Sequence, residues 1–543
     1  MAKYSIGLDF GTLSVRGVLA DIADGNIVAR AEYVYPHKIM KELPDGTTLS
    51  PESAYAHPAD YMTGLQTVIA KVIKGIPKED ILSIGLDATS CSVLPLGAGG
   101  APLCFSEEFQ NSPHAYIKLW KHHSATRQAA RLQEVAVQHS ERFLSDLGGT
   151  VNAENFFPKV LETFEEDRKV FDTAVCFVEV AEWLALLLTG RLCTSESMAC
   201  FKRFYHPFRG YPAADYFEAV SSGFGKVLSK LKGKILPVGA CAGTLNERIA
   251  GILGLNPEVR VAVPQIDAHT AVAAVGGKAG DFVTVMGTSG VSLLCSHSDT
   301  GMAGIYSSSA HCLLPDAYGH EGGQPAVGDT FAHFAETFVP REYHKAAKAE
   351  DKDIHTYLTD LASNLKAGQS GLLALDWCGG VRTPLMDYNL SGALIGMTNR
   401  TRPEEVYRAL LEGVAFGTRR IKEIYESHGH QIHRVFCTGG IPRKNKLFCQ
   451  ILADVLACDV HVCETEDVCA LGSAIHGAFT LDEQPHQRTL RDMCDERVTT
   501  FYPDFVAREI YGEMYKEYLR LAEAMGGYES VMKKIYKIKE KNL

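Results

Sequence analysis

The fold of this chain is indicated first by one stretch near its start, Gly7-Leu8-Asp9-Phe10-Gly11-Thr12-Leu13-Ser14-Val15-Arg16. An apolar run from Tyr4 to Leu8 ends at an aspartate, a Gly/Thr/Ser loop follows, and a second run extends from Val15 to Asp21. β-Branched and alternating runs of this length predict β-strands. With a turn at Asp24-Gly25 and a third run from Ile27 to Tyr35, they predict a β-meander that carries a polar loop.

The same pattern returns about half-way along the chain. A predicted strand, Asp281 to Met286, leads into the loop Gly287-Thr288-Ser289-Gly290 and a returning strand, Val291 to Cys295. Two copies at this separation suggest duplicated domains rather than a short-period repeat. We therefore predict an α/β fold of two duplicated domains, residues 1–276 and 277–543, divided at the Gly276-Gly277 pair.

Strands and helices alternate around both copies, as expected for an α/β fold. The further predicted strands are Ile81 to Leu86, Arg434 to Cys437 and Asp459 to Cys463. The further predicted helices are Pro58 to Ile76, Val178 to Leu188, Asn445 to Leu456 and Val468 to Phe479.

Composition narrows the class of protein. The chain has 543 residues, 46% hydrophobic and 22% charged, which supports large packed cores. A net charge of -11 and the lack of basic blocks interleaved with aromatics argue against nucleic acid as a partner. No apolar run is long enough for a membrane span, and no secretory signal is evident, so we expect a cytoplasmic protein without a membrane partner. The 15 cysteines show no CxxC pair, so neither disulfides nor a structural metal is expected.

The first loop can carry phosphate chemistry. Gly11 permits close approach to the backbone, so amides and the Thr12 and Ser14 hydroxyls can face a phosphate. Asp9 can hold a hydrated Mg²⁺, and Arg16 can add positive charge. The alternative is an ordinary β-turn with a capping aspartate.

Two further glycine loops favour a nucleotide. Gly287, Thr288 and Ser289 repeat the first loop in the second copy, so the two together can clamp a polyphosphate from both sides. The loop Thr438-Gly439-Gly440 joins a strand to a helix, with Asn445 near the helix start, where it can cap the helix or bond a ligand. It lacks the Gly-Lys-Ser/Thr ending of a Walker A loop, and a glycine-rich connection without a ligand is the alternative.

In the stretch Val263-Pro264-Gln265-Ile266-Asp267-Ala268-His269, a single carboxylate, Asp267, comes straight after an apolar strand. An aspartate in this position is often a helix N-cap, but it can also be a general base that accepts a proton from a hydroxyl. Trp120, flanked by Lys118 and Lys121, can form the wall of a ligand site or belong to the core.

Together these elements resemble the FGGY carbohydrate kinases of the actin-like ATPase superfamily, over essentially the whole chain. The resemblance implies two duplicated actin-like (ribonuclease H-like) domains with an interdomain cleft. It is carried, beside the opening stretch, by Leu119-Trp120-Lys121-His122-His123, Glu321-Gly322-Gly323-Gln324-Pro325-Ala326-Val327-Gly328-Asp329, Leu375-Asp376-Trp377, Arg382-Thr383-Pro384 and Gly439-Gly440-Ile441-Pro442-Arg443-Lys444-Asn445.

The family pattern implies a role for each candidate residue. Asp267 is the catalytic base, Asp9 serves the metal, and Thr12 and Thr288 flank the phosphates of ATP. Gly439, Gly440 and Asn445 lie against the adenosine and the α-phosphate. The implied sugar site consists of Thr89, Ser90, Trp120, Lys202, Asp267 and Glu321. The segment around Lys202 departs from the family pattern, since family members more often have a tryptophan before His206.

The implied activity is ATP- and Mg²⁺-dependent phosphorylation of a ketopentose, above all of L-ribulose to L-ribulose 5-phosphate in L-arabinose catabolism. Two alternatives stay open: an FGGY kinase for another sugar or polyol, such as D-ribulose, xylulose or ribitol, and a non-catalytic actin-like ligand-binding module. The expected partners are small molecules, and a homodimer is also open.

Overall fold

A computed structural model of the chain describes residues 2–298, 302–315, 317–481, 486–495 and 497–542. Within these residues there are two large sheets, the first built from strands of the N-terminal half and the second from strands of the C-terminal half, and helices pack against both. The strands are β1 (Tyr4–Phe10), β2 (Ser14–Asp21), β3 (Ile27–Val34), β4 (Tyr55–Ala56), β5 (Ile81–Ala88), β6 (Val93–Leu96), β7 (Ile117–Lys118), β8 (Cys176–Glu179), β9 (Cys193–Ser195), β10 (Lys234–Leu236), β11 (Cys241–Thr244), β12 (Arg260–Ala262), β13 (Gln265–Ile266), β14 (Asp281–Met286), β15 (Gly290–Ser296), β16 (Ser307–Ala310), β17 (Tyr318–Gln324), β18 (Leu373–Leu375), β19 (Ala393–Ile395), β20 (Arg434–Thr438), β21 (Val460–Cys463) and β22 (Val498–Phe501).

The helices fall mainly between the parallel strands and after them. They are α1 (Pro58–Val72), α2 (Thr126–Gln138), α3 (Phe143–Asp146), α4 (Phe156–Glu166), α5 (Arg168–Thr173), α6 (Val180–Thr189), α7 (Glu196–Lys202), α8 (Ala214–Val220), α9 (Glu247–Leu253), α10 (Asp267–Ala274), α11 (Gly328–Thr337), α12 (Arg341–Ala349), α13 (Ile354–Ser363), α14 (Pro403–Ser427), α15 (Gly440–Lys444), α16 (Lys446–Leu456), α17 (Val468–Phe479), α18 (Gln487–Met493), α19 (Phe505–Gly526) and α20 (Val531–Lys541). Short 3-10 helices span Lys78–Asp80, Ala98–Gly100, Leu103–Phe105, Pro113–Ala115 and Phe224–Lys230.

The two large sheets share one strand order, which confirms the predicted duplication. In the first, the strands run β11-β12-β5-β1-β2-β3, with β13 beside β5; in the second they run β22-β21-β20-β14-β15-β17-β16. In both, an antiparallel meander (β1-β2-β3; β14-β15-β17) is followed by parallel strands (β5 and β12; β20 and β21) and an antiparallel edge strand. The carboxyl ends of the parallel strands therefore meet at one edge of each sheet, where α/β proteins bind ligands.

The N-terminal half carries an additional layer. A four-stranded sheet in the order β4-β7-β6-β8 packs with α2, α4, α5 and α8 around an aromatic core that includes Phe157, Phe204 and Phe224. This layer positions the segment around Trp120 and the start of α4, both of which reach the site described below.

The two halves are locked together by α17, a helix of the second half that lies on β1 and β5 of the first sheet and against α10. Six of its twelve residues are Gly, Ala or Ser, and all but Cys469 are buried. A Cβ built on Gly85 would lie 1.7 Å from Ser473 O, and one built on Gly472 would lie 2.0 Å from Thr270 O. Only glycine lets the backbones approach this closely.

Most predicted elements are confirmed within a few residues, and α17 has the predicted bounds. The predicted helix Val178 to Leu188 is partly wrong, because its first residues complete β8 and the helix begins at Val180. The predicted loop after β20 is also partly wrong, since residues 440–444 form α15. The predicted domain division at residue 276 lies between α10 and β14 and stays a prediction. Among the described residues, no helix is both long and apolar enough to cross a membrane.

We expect Gly85→Ala to destabilise the protein, because its Cβ would overlap the Ser473 carbonyl and force α17 away from β5. Overpacking of this kind costs about 1–3 kcal/mol or more. The matched control is Gly251→Ala in α9, an exposed glycine whose Cβ would meet nothing within 4 Å. It should be neutral or stabilising by about 0.5–1 kcal/mol. Urea unfolding, monitored by circular dichroism, compares the two variants. Equal unfolding midpoints would contradict the close packing of α17 on β1 and β5.

Candidate active site

Three aspartates meet at the carboxyl edge of the first sheet. Asp9 on β1 pairs in register with Asp87 on the parallel strand β5. Strand β13 pairs with the end of β5, and Asp267 follows it as the first residue of α10. The sheet register itself therefore brings the three carboxylates together, with Asp9 and Asp267 open to a cavity and Asp87 fully buried behind them.

Crowding and burial change the acidity of these groups. Removal from bulk water, with Asp9 nearby, raises the pKa of Asp267 to about 6. The same two causes raise the pKa of Asp87 well above its usual range, and burial raises that of Asp9. Asp87 Oδ2 accepts hydrogen bonds from Ser473 (2.5 Å) and Thr270 (3.2 Å), whereas Oδ1 has no donor among the described residues. The cluster is an electrostatically strained site that favours a cation.

The two glycine loops face each other across the cavity, which has a volume of about 300 Å³. The first loop is tight, since Gly11 N donates to Ser14 O at 3.0 Å. The second is its counterpart, with Gly287 N donating to Ser289 O at 2.9 Å. The predicted loop residues that line the cavity are Gly11, Thr12, Gly287, Thr288 and Ser289.

Two predicted members of the first loop are engaged elsewhere. The Ser14 hydroxyl donates to Glu32 Oε1 (2.9 Å), on the exposed face of the meander. Arg16 lines the cavity, but its Nε bonds the same carboxylate at 3.2 Å. Both side chains therefore have a competing partner in Glu32.

At the opposite end of the cavity, Glu321 on β17 is the centre of a buried ionic chain. Its Oε1 accepts from Lys202 Nζ at 2.8 Å, and its Oε2 lies 2.9 Å from His269 Nε2. His269 Nδ1 lies 2.9 Å from Ser197 Oγ. Burial acts against the Glu321 charge, but Lys202 and His269 more than offset it and lower the pKa of Glu321.

A second buried ion pair joins the two halves beside this chain. Arg382 Nη2 bonds Glu154 Oε2 at 2.9 Å, and both side chains are less than 10% exposed. The Tyr306 ring lies under two cations, 3.9 Å from Lys202 Nζ and 5.4 Å from the Arg382 guanidinium carbon. Arg382 lowers the pKa of Glu154 to about 2 although burial opposes the charge. Cationic and anionic groups at this end of the cavity are thus paired.

Trp120 joins the two ends of the cavity. Its indole Nε1 donates to Thr12 Oγ1 at 3.1 Å, so it links the predicted sugar wall to the first phosphate loop. Thr89 and Ser90 line the cavity after β5, and the Thr89 hydroxyl also bonds Ser92 Oγ at 2.7 Å.

The predicted adenosine residues lie outside this cavity but next to the second loop. A Cβ on Gly439 (φ +105°) would lie 2.4 Å from Met286 O, whereas one on Gly440 would meet nothing within 4 Å. The Asn445 side chain caps α16 by accepting from Phe448 N (2.9 Å), and it donates to Thr359 Oγ1 (3.0 Å). The open surface above Gly440 is therefore the available part of this segment.

Comparison of the sequence with models of protein families identifies the family of this chain. The C-terminal domain of the FGGY family of carbohydrate kinases matches residues 282–481, and the N-terminal domain matches residues 4–276. The chain belongs to the FGGY family of carbohydrate kinases.

Relatives of this FGGY kinase extend over its whole length. A ribulokinase of Anoxybacillus flavithermus is 37% identical and covers 99% of this chain and 97% of that relative. A ribulokinase of Geobacillus thermodenitrificans is 36% identical with the same coverage.

Solved structures share the fold at low identity. A gluconate kinase from Lactobacillus acidophilus has a TM-score of 0.78 at 18% identity, covering 97% of this chain and 99% of that chain. A ligand-bound xylulose kinase from the same organism has a TM-score of 0.76 at 18% identity with the same coverage. These neighbours confirm the two-domain α/β fold of an FGGY kinase.

Several polar residues of this FGGY kinase site were not predicted. Asp87 ends an apolar strand just as Asp9 does, so strand ends in register are the signal that could have found it. Glu154 and Tyr306 lie outside every motif, and nothing in the sequence marks them. The unpredicted polar residues that line the cavity are Glu154, His269, Tyr306 and Arg382.

We expect Asp87→Asn to stabilise the ligand-free kinase by roughly 1–3 kcal/mol, because the amide oxygen can still accept from Ser473, the repulsion with Asp9 is removed, and the amide N–H can donate to the Asp9 carboxylate. A carboxyl with a raised pKa destabilises the folded state increasingly as pH rises, so the gain should be larger at about pH 8 than at about pH 5. Thermal melts measure both. The control is Asp459→Asn, at an exposed position. If Asp87→Asn melts at a lower temperature than the unsubstituted protein at alkaline pH, the aspartate cluster is not electrostatically strained.

Proposed function

We propose that this FGGY kinase transfers the γ-phosphoryl group of ATP to L-ribulose and forms L-ribulose 5-phosphate. The observation that carries the proposal is that Asp267 lies in one cavity with both glycine-threonine loops and with Trp120, Lys202 and Glu321. The ribulokinases that align with nearly the whole chain support the choice of sugar.

Asp267 is suited to act as the base. A pKa of about 6 leaves it ionised at neutral pH yet basic enough to take a proton from a hydroxyl as the phosphoryl group transfers. The proton ends on an Asp267 carboxylate oxygen, and the sugar oxygen forms the new bond to phosphorus while the bond to the ADP oxygen breaks. Transfer of this kind depends mainly on positioning and on neutralising charge.

The phosphate groups of ATP would lie between the two loops. Backbone amides and the Thr12 and Thr288 hydroxyls would donate to phosphate oxygens from both halves of the protein. The adenosine would extend over the open surface at Gly440.

A magnesium ion fits the cavity at this end, because Asp9 and Asp267 present carboxylate oxygens to it and the buried carboxyl of Asp87 lies behind them. Asp9, supported from behind by Asp87, would hold the ion. The ion would offset the charge of the phosphates.

The sugar would occupy the end at which Lys202 and Glu321 meet. A buried ion pair offers both a donor and an acceptor to sugar hydroxyls, and a substrate lacking a matching hydroxyl leaves one of them unpaired. Trp120 would cover the apolar face of the chain of carbon atoms. We also propose a cytoplasmic location, where ATP is available, and keep a homodimer as the assembly to be tested.

A coupled ADP-release assay with a panel of sugars tests the proposed function. L-Ribulose should exceed xylulose, ribitol and glycerol by at least about tenfold in kcat/KM, since one unmatched buried polar group costs about 1–3 kcal/mol. If another acceptor is preferred, that acceptor replaces L-ribulose as the proposed substrate. If no acceptor in the panel causes ADP release, the protein is not a sugar kinase of this class.

Asp267→Asn should reduce kcat by roughly 10²–10⁴, the usual contribution of a general base, while leaving the affinity for sugar and ATP largely intact. Single-turnover phosphoryl transfer and calorimetric titration measure the two quantities separately. Turnover within a few-fold of the unsubstituted protein would overturn the assignment of the base.

Gly440→Val should raise the KM for ATP about tenfold with little effect on the sugar KM or on the melting temperature, because the new side chain enters open space over which adenosine would lie. Gly512→Val in α19, where a Cβ also meets nothing within 4 Å, is the matched control. An ATP KM equal to that of the control would exclude nucleotide from this surface.

A further inference from the structure

Lys159 lies directly behind one wall of the proposed sugar pocket, at the fourth position of α4, and is 0% exposed. Its ammonium donates hydrogen bonds to three backbone carbonyls: Cys91 O (2.7 Å), Glu154 O (3.3 Å) and Trp120 O (3.4 Å). These three carbonyls belong to segments far apart in the sequence. One buried cation therefore fastens three separate segments to one another.

Each of the three segments contributes to the cavity. Thr89 and Ser90 line it immediately before Cys91, and Trp120 and Glu154 line it with their own side chains. The backbone of one whole wall is thus held from behind by Lys159.

The number of donors matches the number of acceptors. A protonated lysine has three N–H donors, one for each carbonyl, whereas a neutral lysine amine has only two. A cation near the start of a helix also opposes the helix dipole, and an unneutralised buried charge is costly. Packing alone does not account for a lysine here, but the need to hold three carbonyls does.

Cys91 shows that the wall is under strain. Its φ of +51° is in the left-handed region, which is uncommon for a residue other than glycine. Its N–H donates to Glu179 Oε2 at 2.5 Å, and its carbonyl accepts from Lys159. Glu179 is fixed in turn by Arg203 Nε at 2.9 Å. The buried Glu179 carboxylate and the buried Lys159 ammonium thus bond Cys91 from its two sides and stabilise a backbone conformation that is otherwise unfavourable.

We propose that Lys159 is a positioning residue of the sugar pocket, which in its protonated form holds the segments bearing Ser90, Trp120 and Glu154 in the binding geometry. The proposal rests on the proposed function, in which this wall contacts the sugar. Lys159 acts through these segments and makes no contact with substrate.

Because the three hydrogen bonds need a protonated lysine, binding of the sugar should depend on pH. Burial lowers the pKa of Lys159 to about 8, with Lys118 acting in the same direction and Cys91, Glu154 and Glu179 acting against it. As pH rises through that value, the amine loses one donor and one of the three carbonyls loses its partner. The sugar KM should therefore rise on the alkaline side, whereas the ATP KM should change less, because among the described residues Lys159 reaches the phosphate loops only indirectly, through Trp120 and Thr12.

The experiment compares the unsubstituted kinase with Lys159→Met, Lys159→Arg and the control Lys169→Met, an exposed lysine on the neighbouring helix α5. Lys159→Met should raise the KM for L-ribulose by about tenfold or more at neutral pH, since buried carbonyls are left unpaired, with a smaller change in kcat and in the ATP KM. Lys159→Arg, which stays charged, should remove the alkaline rise in sugar KM.

A second measurement needs no substrate. Trp183 and Trp377 are at most 2% exposed, so acrylamide quenching of fluorescence reports mainly on Trp120. Quenching should increase between about pH 7 and about pH 9 in the unsubstituted protein, as Lys159 loses its proton, and be high throughout in Lys159→Met.

Two results would overturn the proposal: sugar KM and Trp120 quenching that stay flat across this pH range in the unsubstituted protein, or a Lys159→Met that matches Lys169→Met in both. If L-ribulose is not phosphorylated at all, the proposed function fails, but the quenching series still decides the role of Lys159. If Lys159→Met does not fold, the pH series and Lys159→Arg decide it.

Discussion

The contact on which the rest of the structure depends is the one between the backbone of α17 and the backbones of β1 and β5. A helix from the second half rests on the sheet of the first with glycines at the touching points, among them Gly7, Gly85 and Gly477. Because side chains are absent there, Ser473 can reach Asp87 and Ser5 Oγ can donate to Ala474 O at 2.7 Å. The interlock that joins the halves therefore also supplies a hydrogen-bond donor to the aspartate cluster.

The two ends of the cleft are held in different ways: backbones pack together at the aspartate end, whereas the sugar end combines ion pairs with a close backbone approach, since a Cβ on Gly148 would lie 1.9 Å from Ile305 O. At the aspartate end, α10 and α17 pack backbone to backbone, so relative motion is restricted. At the sugar end, the halves meet through Lys202 with Glu321 and Glu154 with Arg382. Both pairs are buried, so separating either one would leave charges that need a replacement partner such as a sugar hydroxyl.

Much of this architecture could be predicted from the sequence. The two meanders and their loops are local patterns, and a register of parallel strands follows from the fold, so Asp9, Asp267, Thr12 and Thr288 could be placed near one another. The hydrogen-bond partners of individual side chains could not be predicted. Nothing local to Ser14 shows that Glu32 on the neighbouring strand takes its hydroxyl.

The rest of the site depends on long-range packing that leaves no pattern in one sequence. Glu154 reaches the cavity because α4 packs in the additional aromatic layer, and Arg382 reaches it from the other half. Lys159 looks, in the sequence, like one polar residue in an apolar helix start, Phe156-Phe157-Pro158. The carbonyls that it bonds, two of them from segments far away in the sequence, explain why it is charged and buried.

The charge distribution within the cavity argues for the kind of acceptor. At the aspartate end, three carboxyl groups lie together, and Arg16, which also lines the cavity, is shared with Glu32. At the sugar end, the cations Lys202 and Arg382 are already neutralised by Glu321 and Glu154. An acceptor bearing a carboxylate, such as gluconate, would need an unpaired cation there, and breaking a buried pair to provide one is costly. The two buried ion pairs therefore favour an uncharged sugar over an acceptor that bears a carboxylate.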